Sequence, residues 1–391
     1  MRIKRPVMLA LIAALSCAAA ALAQEPRPLL HAYHTVVPLD PGVTRSMVRA
    51  AVASSATVPM WEYTVVSPLN DRQYSGTMIG RSPFFHGART TAIPAVIVPI
   101  VITMSDGTVF NPAATDTTCS PAGAALSLVQ NSPLFNSIDI MMGSTDVGVA
   151  EYVDAFQRAN FWTEVSPTGD RYHTVLSPVT TVSAIPVTVP SAYGATNSTA
   201  KYGGCGGVIG VISYSWWNDY VLETIMPSLA SSGVGPSVFP VFLFYNVVMN
   251  DGALNLGEDC CILGYHGAAG VAPQTYAVAD FDTTGIFGGT KDISDMSHEI
   301  AEWMNDPLGN NPTPAWGGVG QVVGGCQNNL EVGDPLSGTL FPKITMPNGY
   351  TYNPQELAFF SWFYRQAPSI GVNGWYSDND TFTSDAGPIC E

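Results

Sequence analysis

The stretch Asp292-Ile293-Ser294-Asp295-Met296-Ser297-His298-Glu299-Ile300-Ala301-Glu302-Trp303-Met304-Asn305-Asp306-Pro307 decides how the rest of the chain is read. Ile293, Met296, Ile300, Trp303 and Met304 recur at the spacing of one helix face and must meet a core. Asp292 is placed to cap the start, with Asp295 three residues on. Pro307 stops the helix, because the residue before proline avoids the α region. The spacing therefore predicts a helix over 293–305. Its other face gathers Asp295, His298, Glu299, Glu302 and Asp306.

That polar face is electrostatically costly. Asp295 and Glu299, Glu299 and Glu302, and Glu302 and Asp306 are neighbours three or four residues apart. Each like-charge pair costs roughly 0.2–0.5 kcal/mol on an exposed helix, and nothing basic on the helix offsets it. A divalent cation would turn the repulsion into attraction. His298 and Glu302, at i and i+4, project one above the other and can reach one metal. Glu299 between them can act as general base toward a water beside the ion. This is the logic of H-E-x-x-H with the second histidine replaced by Glu302. The plain alternative is a solvated acidic face.

Further ligands are needed. Asp306 lies eight residues beyond His298, about 12 Å of helix rise, and joins only if the chain bends back at Pro307. In Asn329-Leu330-Glu331-Val332-Gly333-Asp334-Pro335, Glu331 can ligate and Asp334 can accept a hydrogen bond from His298. The same residues also read as a turn before Pro335. His266, in Gly264-Tyr265-His266, can converge too, or can be a satisfied structural histidine.

These motifs carry a resemblance. His298-Glu299-Ile300-Ala301-Glu302-Trp303-Met304-Asn305-Asp306-Pro307, the upstream Gly264-Tyr265-His266 and the downstream Glu331-Val332-Gly333-Asp334 resemble, in the same order, three elements of bacterial Exordium-like (phosphate-induced) extracellular proteins. The likeness covers residues 261–335, with Cys261 displaced from the position the family gives it. It implies an exported protein and a zincin-like metallopeptidase fold, with the histidine-glutamate helix beneath a mixed β-sheet. Glu302 stands where zincins have a second histidine, and more oxygen ligands shift preference toward calcium or manganese.

Outward from the helix, residues 24–60 read as irregular with one helix at 45–54. Residues 61–112 read as β, including the Val- and Ile-rich run 95–103 that ends at Ser105-Asp106-Gly107. Helices are expected at 124–130, 150–161, 216–229 and 355–365. Strands are expected over 174–189, 208–214 and 275–281. The run 238–249 reads as one strand covered on both faces, and 309–325 as a glycine-rich loop. The order gives a fold of class α+β: one domain over 24–391, with a β-rich subregion at 24–115 and a mixed region at 116–391.

Composition fits that reading. Of 391 residues, 46% are hydrophobic and 12% charged, which excludes a disordered chain. Arg2, Lys4 and Arg5, the apolar run 7–15 and Ala21-Leu22-Ala23 form a signal peptide over 1–23. The longest later apolar run, 92–104, is broken by Pro94 and Pro99 and is too short to span a bilayer. Cleavage removes three basic residues and no acidic one, leaving 12 against 31 and a formal charge of −19. Such a surface repels nucleic acid and anionic lipid. Cys119, Cys205, Cys260, Cys261, Cys326 and Cys390 remain; an even count in an exported chain argues for disulfides. Adjacent Cys260 and Cys261 are expected to take different partners.

The sequence thus points to a secreted, extracellular or periplasmic metallohydrolase of peptidase type acting on extracellular protein or cell-wall polymer. His298 and Glu302 bind the metal, Glu331 or Asp306 completes the site, and Glu299 activates water. Zinc is the expected ion for catalysis, with calcium or manganese as the alternatives. The competing readings are a non-catalytic cell-wall protein with a structural metal, and a glycan-binding protein using Trp216, Trp217, Trp375 and Tyr376. For those four aromatics, core packing is the favoured expectation.

Overall fold

A computed structural model describes residues 29–86, 88–257, 260–317 and 326–387. The signal peptide expected at 1–23, residues 318–325 of the glycine-rich loop expected over 309–325, and Cys390 lie outside these residues. The fold is α+β and is organised by an 11-stranded mixed sheet. Its strands are β1 (Tyr33–Val37), β2 (Ala95–Thr103), β3 (Val109–Phe110), β4 (Thr180–Thr181), β5 (Ile185–Thr188), β6 (Gly194–Ser198), β7 (Val208–Ser213), β8 (Phe239–Tyr245), β9 (Val247–Asn250), β10 (Ile262–Ala269) and β11 (Gln274–Phe281). The main path runs β4-β2-β8-β11-β10-β9-β7-β6, with β3 and β5 on β2 and β1 on β10.

The centre of the sheet is read correctly from its composition. β2 and β8 are parallel and nearly continuous in Val, Ile and Phe; they bury both faces, which is why no alternation shows in their sequences. The run 238–249 is two strands, not one. Asn246 sits between them in a left-handed conformation, φ 53°, which asparagine tolerates better than its apolar neighbours would. β8 then continues beside β2 and β11, whereas β9 pairs with β7 and β10.

Two helices cover one face of the sheet around the site. α1 (Tyr152–Asn160) is entirely buried. α2 (Ser294–Asn305) packs against β10, β11 and α1. Its apolar face meets the core as expected, and Trp303 stacks on Phe239 of β8 with ring centroids 3.5 Å apart. Asp292 is not the cap residue; Ile293 is. Asp292 turns into the left-handed region and accepts from the N–H groups of Ile293 and Asn353 at 2.6 and 3.0 Å, tying the helix start to a distant segment. At the C-terminal end, the helix expected over 355–365 shrinks to Phe360–Phe363. Its aromatic richness reflects burial of every residue there, not helical periodicity.

Cysteine pairing differs from expectation in one respect. Cys119 and Cys205 are joined across 86 residues. Cys260 and Cys261 are bonded to each other, not to different partners. With Cys119 and Cys205 satisfied, the pair closes on itself, buried beside Ile209, Val211, Val248 and Leu263 at the start of β10. Cys326 is disulfide-bonded as well. Among the described residues, no helix is long and apolar enough to cross a membrane.

Candidate metal centre

The polar face of α2 is not solvated. All twelve residues of the helix are buried, and Glu299 and His298 are fully enclosed. The solvated-face alternative therefore fails: β10 and the segment 331–334 cover the acids.

β10 brings His266 onto the helix. Alternation along the strand sends Tyr265 to the opposite face, against Tyr276 and Val278. His266 Nε2 lies 3.1 Å from the carbonyl of Asp306, which can only accept. That fixes the ring as an Nε2–H tautomer and leaves the Nδ1 lone pair facing inward. Nδ1 is 3.3 Å from Glu299 Oε2 and 3.7 Å from Glu302 Oε2. A lone pair aimed at two carboxylates needs a cation or a proton between them.

His298 repeats the pattern. Its Nδ1 lies 3.1 Å from Gln355 Oε1. The Gln355 amide is oriented by its own N–H donation to Gly333 O at 2.8 Å, so the oxygen faces the ring and Nδ1 carries the proton. Nε2 then points inward, 2.9 Å from Glu302 Oε1 and 3.5 Å from Asp334 Oδ1, without the alignment of a hydrogen bond. The outer acceptor expected from Asp334 is thus supplied by Gln355, and Asp334 faces the inner nitrogen.

The loop 331–334 closes the third side. The N–H groups of Gly333 and Asp334 both donate to Glu302 Oε1 at 3.1 Å. Glu331 Oε2 comes 3.8 Å from His266 Nε2 and has no hydrogen-bond partner. Asp306 is placed differently. Its carboxylate accepts from the N–H groups of Asn310 and Asn311 at 2.9–3.0 Å. It shapes the turn after the helix and belongs to none of the donor groups that could hold a metal.

Sequence reading missed His34. It sits on β1, in a segment read as irregular, and its ring stacks on His298 with centroids 3.6 Å apart and planes 20° from parallel. His34 Nε2 lies 3.0 Å from Asp295 Oδ1. β1 reads Tyr33-His34-Thr35-Val36-Val37 with His34 alone buried, so no alternation marked the strand. β1 runs parallel to β10, with Val36 opposite His266.

Charge at the site is uncompensated. Asp295, Glu299, Glu302, Glu331 and Asp334 pair with histidines alone, and among the described residues no lysine or arginine reaches them. Burial pushes the carboxyls of Glu299 and Glu331 well above their usual range, and neighbouring acids add to it. Burial also pushes Glu302 up, but the charge that His298 carries when both its nitrogens are protonated outweighs it and lowers this carboxyl to about 2. Burial takes His266 down to about 4. Such groups stay ionised and enclosed only beside positive charge.

The donors split into three groups: His266, Glu302 and Glu331; His298, Glu302 and Asp334; and His34, His298 and Glu299. A cleft of about 1150 Å³ opens onto them, walled by β1 and by Glu302, Glu331 and Asp334. The residue types and the orphaned inner atoms fit a divalent cation. Of the aromatics considered for glycan binding, Trp217 and Tyr376 are buried, and Trp216 is stacked between Tyr193 and Tyr220. No protein-family model, curated protein or solved structure matches this chain.

Proposed function

We propose that the chain is an exported, zincin-like metallohydrolase that cleaves peptide bonds in extracellular protein or cell-wall polymer. The observation that carries this is the pair of buried histidines, each with its outer N–H taken and its inner nitrogen turned on carboxylates, beside an open cleft. A divalent ion in such a place supplies Lewis acidity, polarising a carbonyl and acidifying water. Its ligands would come from His298, Glu302 and Asp334 or from His266, Glu302 and Glu331, the two groups that meet at Glu302. Glu299 would take the proton from the attacking water, through the Oε1 that makes no hydrogen bond. Two imidazoles among carboxylates suit zinc or manganese better than calcium, which prefers oxygen alone.

The test is elemental analysis of purified protein, followed by peptide hydrolysis with Glu299→Gln. That variant should keep its metal and lose roughly 10²–10⁴-fold in turnover, the usual worth of general-base help. A wild-type protein that holds no metal and ignores chelators would refute the proposal. The depth of Glu299, which does not reach the cleft wall, favours a second reading: a structural metal in a non-catalytic extracellular protein. Metal in both proteins with no hydrolysis in either selects it.

A further inference from the structure

Resting on the metal-site reading above, we infer that the centre holds two divalent cations bridged by Glu302. The donors do not converge on one point. His266 and His298 never fall in the same donor group, and the groups that contain them share only Glu302. The carboxylate of Glu302 divides between them: Oε2 faces His266 Nδ1 at 3.7 Å and Oε1 faces His298 Nε2 at 2.9 Å. Each side has its own terminal acid. Glu331 groups with His266 and Glu302, its Oε2 3.8 Å from the outer Nε2 of that ring, and Asp334 lies on the His298 side, 3.5 Å from Nε2.

Orphaned atoms support both halves. His298 Nε2 on one side and Glu331 Oε2 on the other are buried without a hydrogen-bond partner. Buried polar atoms are normally satisfied, so each needs a partner of its own. Glu302, Glu331 and Asp334, with Glu299 3.3 Å from His266 Nδ1, bring more negative charge around the two imidazoles than one divalent ion offsets. The remaining group, His34 with His298 and Glu299, does not make a third position. An ion bound to imidazole lies in the ring plane, and two rings stacked at 3.6 Å cannot both present an in-plane lone pair to one ion. His34 is instead a positioning residue: it holds Asp295 and packs flat on His298.

The experiment is manganese titration of chelator-stripped full-length protein, followed by electron paramagnetic resonance. Two equivalents should bind. The six-line signal of the first should weaken as the second enters, because carboxylate-bridged manganese ions couple magnetically. Glu331→Gln and Asp334→Asn, which preserve shape, should each reduce binding to one tight equivalent with an uncoupled spectrum. His266→Ala and His298→Ala should do the same, with near-ultraviolet circular dichroism confirming the fold. One equivalent in the wild type overturns the two-ion centre and leaves the metal-site reading standing. Two equivalents without coupling overturn the Glu302 bridge. Loss of both equivalents in Glu331→Gln and in Asp334→Asn shows one shared site and overturns it too. No binding at all defeats both this inference and the reading beneath it.

Discussion

Gly333 lies so close to His298 that a Cβ on it would stand 2.5 Å from the ring's Nδ1. The glycine and the histidine are 35 positions apart in sequence, yet the first sets how near the loop can come to the second. The same relation recurs on the other side of the helix. A Cβ on Gly264 would meet Glu299 Cγ at 2.7 Å and Oε1 at 2.8 Å. Both glycines belong to the short motifs around the site, and in each the missing side chain is what lets a second backbone seat against α2.

Gly333→Ala should therefore push the loop off His298 and break the hydrogen bond from Nδ1 to Gln355. Metal affinity should fall at least tenfold while the fold persists. Gly235→Ala, at a position with open space around the added methyl, should leave affinity unchanged. A competition titration against a coloured chelator measures both.

Gln355 orients His298 without facing the inner cavity. Outer-shell partners of ligating histidines are typically worth 10–100-fold in metal affinity. Gln355→Ala should show a loss in that range. Gln355→Glu should retain more of it, because a carboxylate oxygen can still accept from Nδ1. Equal loss in the two variants would show that Gln355 acts through packing alone.

A pH response is expected away from the metal centre. His173 Nδ1 lies 2.6 Å from Asp154 Oδ2, and that hydrogen bond raises the imidazole above its ordinary value of 6.5. Burial pushes the Asp154 carboxyl up as well. Asp154 also accepts from Thr174 N–H and the histidine edge reaches solvent, so the proton resides on the ring. A raised histidine contributes stability that is full below the unfolded value and is lost as pH rises through the folded one. Wild-type protein should lose stability relative to His173→Gln as urea unfolding is moved from pH 6 to pH 9. Parallel pH profiles would rule out this pair as the cause.

Trp303 anchors the apolar face of α2 on Phe239. Trp303→Ala removes a fully buried indole and should cost about 3–5 kcal/mol in denaturant unfolding. Because the helix carries three site residues, apparent metal affinity should drop with it. Trp303→Phe, which keeps the stacked ring, should recover most of both.

The α2 helix was legible because its apolar residues repeat at 3.6 and a proline ends it. The two motifs that flank it, Gly264-Tyr265-His266 and Glu331-Val332-Gly333-Asp334, were legible too. What covers the polar face was not. A helical wheel says which residues share a face, and Asp295 through Asp306 share one, but the cover comes from β10 and from 331–334. Asp306 read as a ligand candidate because it is an acid at the right end of the helix. Its carboxylate is spent on the N–H groups of Asn310 and Asn311, a local demand that composition does not reveal. His34 went unread because β1 is five residues long and too brief for alternation to stand out. The break at Asn246 was hidden inside an apolar run, where only the asparagine itself marked a bend.

The parallel pairing of β1 with β10 joins residues more than two hundred positions apart, and Gln355 lies further still along the chain. A polypeptide made from its first residue onward thus carries His34 early and waits for nearly its whole length before His298 gains its outer acceptor. The cover of the α2 acids, β10 and residues 331–334, precedes Gln355 in the chain, so the acceptor that orients His298 is the last part to be made. A product ending before Gln355 would lack the acceptor that orients His298 and should hold its ion more weakly.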